Sequence, residues 1–324
     1  MTASEWQPAS GSHMISPATR LGAVHLAITD ARRALVVWRD LLGQTVLGEE
    51  DDAIRLGAGG RTLVILHPGA ARPVVPHTSG LYHVAIHVPT RSDLARVIGR
   101  LFAARYPNAP TDHLMTETTY LSDPDGNGIE VTFETPERGQ LTVVNGQPQL
   151  IDSAGNVRSG RDPVDLDSLL GELGIGESLS VPVSPGSRVG HVHLHVADLA
   201  AAMHFYRDVL GFQEQTLLPR FQMGDVTLPN YVPHIIAFNT WAGRGVPLAP
   251  ADASGLRHFA ITLPDQAELA RLIERIKQAG MATESTEGGI LVGDPAHNGV
   301  ILTTPRHKIA SSSERRFLQF QRSA

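Results

Sequence analysis

The sequence contains no cysteine. That excludes disulfides, thiolate metal sites and a cysteine nucleophile, and it suits a reducing compartment. No apolar run approaches the ~20 residues that a membrane helix requires. No signal-peptide hydrophobic core shows at the start. These absences lead to the expectation of a cytoplasmic protein with no membrane partner. An excess of positive charge is missing too. The net charge is −6 over 324 residues, so no basic stripe neutralises phosphates. That argues against nucleic acid as a partner. Otherwise the composition is that of an ordinary soluble chain, 42% apolar and 19% charged. The length exceeds what one ordinary domain needs.

Histidine, by contrast, is abundant, with 15 residues. The densest stretch is Gly190-His191-Val192-His193-Leu194-His195-Val196. A strand repeats every two residues, so His191, His193 and His195 share one face and the aliphatics share the other. The aliphatic face packs into a core, which leaves three imidazoles on an open face. Imidazoles so arranged suit a metal site or the groups that surround one. One strand cannot close such a site, so other elements must face it.

Residues 1–20 are polar and aperiodic, and Gly11-Ser12-His13-Met14 has the look of a vector remnant. They are set aside as a disordered tail. Residues 21–135 form a first half. Leu21–Ile28 alternates as a strand, Ala31–Leu42 has helical spacing, and Ala53–Leu56 and Arg61–Leu66 are short strands. The plan then repeats: Leu81–Val88 as a strand with His83 and His87 on one face, a helix capped by Ser92 and running to about Ala104, and strands Thr118–Leu121 and Ile129–Phe133. Residues 136–187 hold scattered Gly, Pro, Asp and Ser around one amphipathic piece, Leu166–Leu173, and read as a connector. Residues 188–304 form a second half with the same two-fold plan. It has strand His191–Val196, helix Leu199–Leu210 and strand His234–Asn239. These are followed by strand Leu256–Leu263, a helix from Gln266 to Ala279, and strands Ile290–Val292 and Val300–Thr303. The basic tail 305–324 is peripheral.

Internal repetition is the strongest signal. Val24-His25-Leu26-Ala27 matches Val192-His193-Leu194-His195. Leu81-Tyr82-His83-Val84 matches Leu256-Arg257-His258-Phe259. Asp123-Pro124-Asp125-Gly126-Asn127-Gly128-Ile129-Glu130 matches Asp294-Pro295-Ala296-His297-Asn298-Gly299-Val300-Ile301. Four βαβββ modules follow. The expected fold class is α+β, with the modules forming two cup-shaped mixed β-sheets.

With these motifs the chain resembles the vicinal oxygen chelate superfamily, which contains glyoxalase I, bleomycin-resistance proteins and extradiol ring-cleaving dioxygenases. The resemblance covers residues 21–304 apart from the connector. It implies a cup around a metal, with ligands from the first strand of each module and the last strand of one. In the dioxygenases those ligands are two His and one Glu, which leave open positions on Fe(II). Here the first-strand position holds Ala23, His83, His191 and His258 in modules one to four. The last-strand position holds Glu130 in module two and Ile301 in module four. Sequential pairing completes neither set. Pairing module two with module three brings together His83, Glu130 and His191, a whole set, and leaves the cup of modules one and four with His258 alone.

The resemblance also implies roles for neighbours. Tyr120, ten residues before Glu130, is placed to hydrogen-bond a substrate oxygen as a neutral phenol. His234, in Pro233-His234-Ile235-Ile236-Ala237-Phe238, corresponds to the acid–base histidine. His113 is a further pocket donor, and His193 and His195 line the pocket. His25 is structural, and Asn239 and Trp241 carry no assigned chemistry. The implied activity is extradiol cleavage of a catechol-like aromatic by O2, with Fe(II) or Mn(II) as cofactor and a homodimer as the common assembly. A glyoxalase-like lyase, isomerase or hydrolase and a ligand-sequestering protein are the alternatives.

Overall fold

A computed structural model describes residues 14–144, 147–229 and 234–305. The vector-like Gly11-Ser12-His13 and the tail beyond Pro305 lie outside the described residues, as does Pro233 of the acid–base motif. Two large mixed sheets carry the fold. One has nine strands, in the order Asp162–Pro163, Ala109–Asp112, Thr116–Ser122, Gly128–Glu134, Gly80–His87, Arg188–His195, Ile236–Asn239, Met223–Thr227, Gln213–Leu218. The other has eight, in the order Glu284–Thr286, Gly289–Gly293, Gly299–Thr303, Gly255–Thr262, Arg20–Ile28, Arg61–Pro68, Ala53–Ala58, Thr45–Glu50. Modules two and three therefore share the nine-stranded sheet, and modules one and four share the eight-stranded one. The pairing is the non-sequential one that the incomplete ligand sets required.

Within each sheet the two modules meet through antiparallel first strands. His83 lies opposite His193 in one, and His25 opposite His258 in the other. Alternation explains the two faces of each sheet. Val192, Leu194 and Val196, like Val24, Leu26 and Ile28, point outward into one apolar cluster that also takes in the helices. The helices Arg91–Ala103 and Gln266–Gln278 cover these faces, capped by Thr90 and Asp265 accepting from Asp93 and Glu268 backbone N–H groups. The cap is thus Thr90 rather than Ser92, because the helix begins one residue before the serine.

The other two helices differ from expectation. Ala31–Leu35 and Leu199–Met203 are single α-turns, each continued by a π-helical turn, Val36–Leu41 and His204–Val209. The wider turns carry Trp38 and Tyr206, which are fully buried. Trp38 Nε1–H donates to Asp123 Oδ2 at 3.2 Å, and the Tyr206 hydroxyl donates to Asp294 Oδ2 at 2.9 Å. Each bond ties a helix of one sheet to the turn before the last strand in the other sheet. The two sheets are thereby cross-anchored at matched points.

The end of the segment read as a tail and the segment read as a connector both belong to the fold. Ile15, in the supposed tail, is buried, and its N–H donates to the Gly211 carbonyl at 2.8 Å. The connector supplies Asp162–Pro163 as the edge strand of the nine-stranded sheet and buries Val164, Leu169 and Val183. It also forms a three-stranded sheet from Gly139–Val144, Gln147–Asp152 and Val157–Arg158. Its helix is shorter than expected, Leu166–Leu170, and the strand expected from His234 begins at Ile236.

Candidate metal centre

His83, Glu130 and His191 stand on neighbouring strands of the nine-stranded sheet, and all three are buried. Their ligand atoms converge. His83 Nε2 and His191 Nε2 lie 3.0 and 3.1 Å from Glu130 Oε2, and 3.1 Å from each other. Donors about 2.1 Å from one metal and at right angles to one another are separated by about 3.0 Å. The triangle therefore has the size of one face of a coordination polyhedron. Among the described residues, no second group of His, Asp or Glu closes in this way.

Charge states favour a cation. Burial works to raise the Glu130 carboxyl, yet the neighbouring His191 and His83 hold it well below the ordinary carboxylate range. Burial pushes His191 well below the usual imidazole value, although Glu130 opposes the shift. A buried anion with a neutral imidazole is a site lacking positive charge, so the donor set fits a divalent metal. Glu130 is fixed from behind, because its Oε1 accepts from Thr118 and Thr132 hydroxyls, both at 2.9 Å.

The tautomer of His191 is set by a chain behind it. Arg188 and His87 Nδ1–H both donate to Glu134 Oε1, each at 2.7 Å. A His87 protonated on Nδ1 leaves Nε2 to accept from His191 Nδ1–H, 3.2 Å away. His191 Nε2 then carries the lone pair that a metal ligand needs. This chain requires Gly190. A Cβ there would lie 2.0 Å from the His87 ring. The register shift between Val189 and His191 falls at this residue.

The remaining expected residues surround the triangle to different degrees. Tyr120 lies opposite Glu130, its ring centroid 5.6 Å from that of His83. Burial and the Glu130 charge raise its phenol above the ordinary value, so it stays protonated. His113 Nε2 is 2.9 Å from the Tyr120 hydroxyl, and its Nδ1 bonds the Gly160 carbonyl from the connector. His234 stacks edge-on against His191 at 4.5 Å. Burial opposes its protonation, but Asp225, 3.3 Å from Nδ1, outweighs that and raises its pKa. Its Nε2 is buried with no hydrogen-bond partner.

His193 and His195 share the His191 face but are bridged by Asn239. The amide donates to His193 Nε2 and accepts from His195 Nδ1–H, both at 2.8 Å. Burial holds both imidazoles below the usual value. Glu134, Thr118 and Thr132 were not singled out by sequence reasoning, which placed His87 on the His83 face and Tyr82 in a repeated motif but gave neither a role. Tyr82 packs against His83, His193, His195 and Trp241, at 4.9–5.1 Å between centroids. Thr132 and His87 had a visible signal, since each shares a strand face with a ligand.

The family model for the glyoxalase/bleomycin resistance protein/dioxygenase superfamily matches residues 20–131 and 188–298. The chain belongs to that superfamily. It is 36% identical over 286 residues to a catechol-2,3-dioxygenase of Bacillus subtilis, covering 87% of this chain and 96% of that protein. A biphenyl-2,3-diol 1,2-dioxygenase of Rhodococcus globerulus is 34% identical over 96 residues, 27% of this chain and 48% of the other. Among solved structures, a putative dioxygenase from Bacillus subtilis superposes with a TM-score of 0.61 at 12% identity, covering 92% of this chain and 89% of that one. Glyoxalase I from Zea mays gives 0.54 at 14% identity, covering 89% and 92%. These two likenesses speak to the fold. No helix among the described residues is long and apolar enough to cross a membrane.

Proposed function

We propose that the protein is an extradiol-type ring-cleaving dioxygenase acting on a catechol or a related dihydroxyaromatic, with Fe(II) as the favoured metal and Mn(II) as its substitute. The observation that carries this reading is a three-donor set, His83, Glu130 and His191, flanked by a partnerless imidazole nitrogen on His234 and a protonated phenol on Tyr120. Similarity to a catechol-2,3-dioxygenase over nearly its whole length supports it. A divalent metal on these three ligands would supply open positions for vicinal substrate oxygens and for O2, and would acidify the bound phenol.

The chain's own residues do the rest. His234 takes a substrate hydroxyl proton at Nε2, and Asp225 stabilises the resulting imidazolium from Nδ1. The proton held there is available for return to a later oxygen anion. Tyr120 turns its hydroxyl proton from His113 Nε2 to a substrate oxygen, and His113, whose Nδ1–H is held by the Gly160 carbonyl, positions the phenol. Tyr82 packs its ring against His83 and His193 beside the donor set.

The test is oxygen uptake by Fe(II)-loaded protein with catechol under exclusion of other reductants. One O2 consumed per catechol, with appearance of the ring-opened aldehyde acid, is the expected result. Metal retention without oxygen uptake for any of a panel of substituted catechols would overturn the reading.

A further inference from the structure

His193 stands beside the candidate donor set of the first cup, that of the nine-stranded sheet, and the chemistry above does not use it. It pairs with His83 across the central strands, and both are buried. Its ring lies against three others: Tyr82 at 4.9 Å, His83 at 5.0 Å and Trp241 at 5.4 Å between centroids. Tyr82 is there because the pairing passes from His83–His193 to Leu81–Leu194 and leaves it as an extra residue on its strand. Such a bulge re-aims a side chain.

Hydrogen bonds assign the proton on His193. The Trp241 backbone N–H can only donate, and it donates to Asn239 Oδ1 at 3.0 Å. That bond fixes which end of the Asn239 amide is oxygen, a choice that the shape of an amide leaves open. Asn239 Nδ2 then donates to His193 Nε2 at 2.8 Å. A nitrogen that accepts carries no proton, so the ring is the neutral form protonated on Nδ1. The two ring nitrogens diverge, so Nδ1–H is directed away from Asn239. Among the described residues no protein group accepts it. In the other sheet His25 answers His193 and His67 answers Asn239, and there it is Nδ1 that is bound, 3.0 Å from His67 Nε2. The open Nδ1–H therefore belongs to the cup that presents the donor set, and Asn239 is what leaves it open.

Its position suits a second substrate oxygen. On one side of the His83 strand Tyr120 lies 5.6 Å from the His83 ring, and on the other His193 lies 5.0 Å from it. A vicinal diol presents two adjacent oxygens, and Tyr120 serves one of them. We propose that His193 donates its Nδ1–H to the other oxygen of the diol, bound as an anion, and that Asn239 is the positioning residue that sets the tautomer. This rests on the ring-cleaving reading of the site and adds a donor to it.

The test uses full-length protein loaded with Zn(II), which is redox-inert and diamagnetic. Nitrogen-15 shifts of labelled imidazoles should show His193 protonated on Nδ1, and that proton should move downfield when 4-nitrocatechol is added. Protonation on Nε2, or a proton unmoved by bound 4-nitrocatechol, overturns the inference and leaves the reading of the site standing. Affinity for 4-nitrocatechol, followed by its absorption, should fall about tenfold in His193→Gln, whose amide reaches the Nε2 position instead. His193→Asn, whose amide nitrogen falls near Nδ1, should stay within about threefold of the wild type. A purely structural role would weaken both variants alike, so equal losses overturn the inference, as does an unchanged affinity in His193→Gln. Should either variant fail to fold by circular dichroism, the wild-type resonances decide alone. A wild type that retains Zn(II) and binds no 4-nitrocatechol overturns the reading of the site and this inference with it.

Discussion

The two cups share one frame and differ in a handful of side chains. In both, a histidine faces a histidine across the central antiparallel strands, and matched anchors from Trp38 and Tyr206 tie each sheet to the other. The outward faces are equally aliphatic. Inside, the nine-stranded sheet presents Glu130, Tyr120, His191 and Asn239 where the eight-stranded one presents Ile301, Leu291, Ala23 and His67. The outward residues are held alike because the fold depends on them. The inward ones differ, and they decide which cup presents a three-donor set.

The sharpest way to break this contrast is to remove the differing residues. Glu130→Ala should abolish metal retention and oxygen uptake together, because His83 and His191 are left without the anionic third donor. Ile301→Ala, at the matching position, should leave both intact and cost about 2 kcal/mol of stability in chemical denaturation. The reverse exchange is as informative. Ala23→His with Ile301→Glu adds two ligands beside His258 and should raise metal content from one toward two per chain. A content that stays at one would show that strand register alone does not make the cups equivalent.

Smaller effects come from residues that serve only the first cup. His234→Ala should lower kcat by about 10²–10⁴-fold while metal content stays at the wild-type level. His87→Ala should weaken metal affinity by about 10–100-fold, because His191 loses the partner that fixes its tautomer. Gly190→Ala should act in the same direction by displacing the His87 ring. Titration with Co(II), followed by its absorption, separates these variants from His234→Ala. The smallest expected difference is between the anchors common to both cups. Trp38→Phe and Tyr206→Phe should each cost about 1 kcal/mol, and neither should change metal content.

The candidate donor set was legible because each of its residues lies on a repeated motif at a strand face, and because sequential pairing left both halves incomplete. Those two facts led to the exchange of modules between sheets. The chain behind His191 was not legible. His87 and Glu134 are 47 residues apart and meet only through the parallel pairing of their strands. Gln213–Leu218 and Glu284–Thr286 escaped notice because edge strands are mostly polar and half-buried and carry no clean alternation. The π-turns escaped because their apolar residues keep helical spacing locally. The connector read as a linker, yet its Gly160 carbonyl binds His113 and its Asp162–Pro163 closes the sheet edge. Such docking depends on contacts distant in sequence.

The most direct test of the central claim is metal content after anaerobic reconstitution with Fe(II) and removal of excess metal. One Fe per chain in the wild type, and none in Glu130→Ala, is the result that a single His83–Glu130–His191 site requires. Two per chain in the wild type, or one per chain retained in Glu130→Ala, would contradict it.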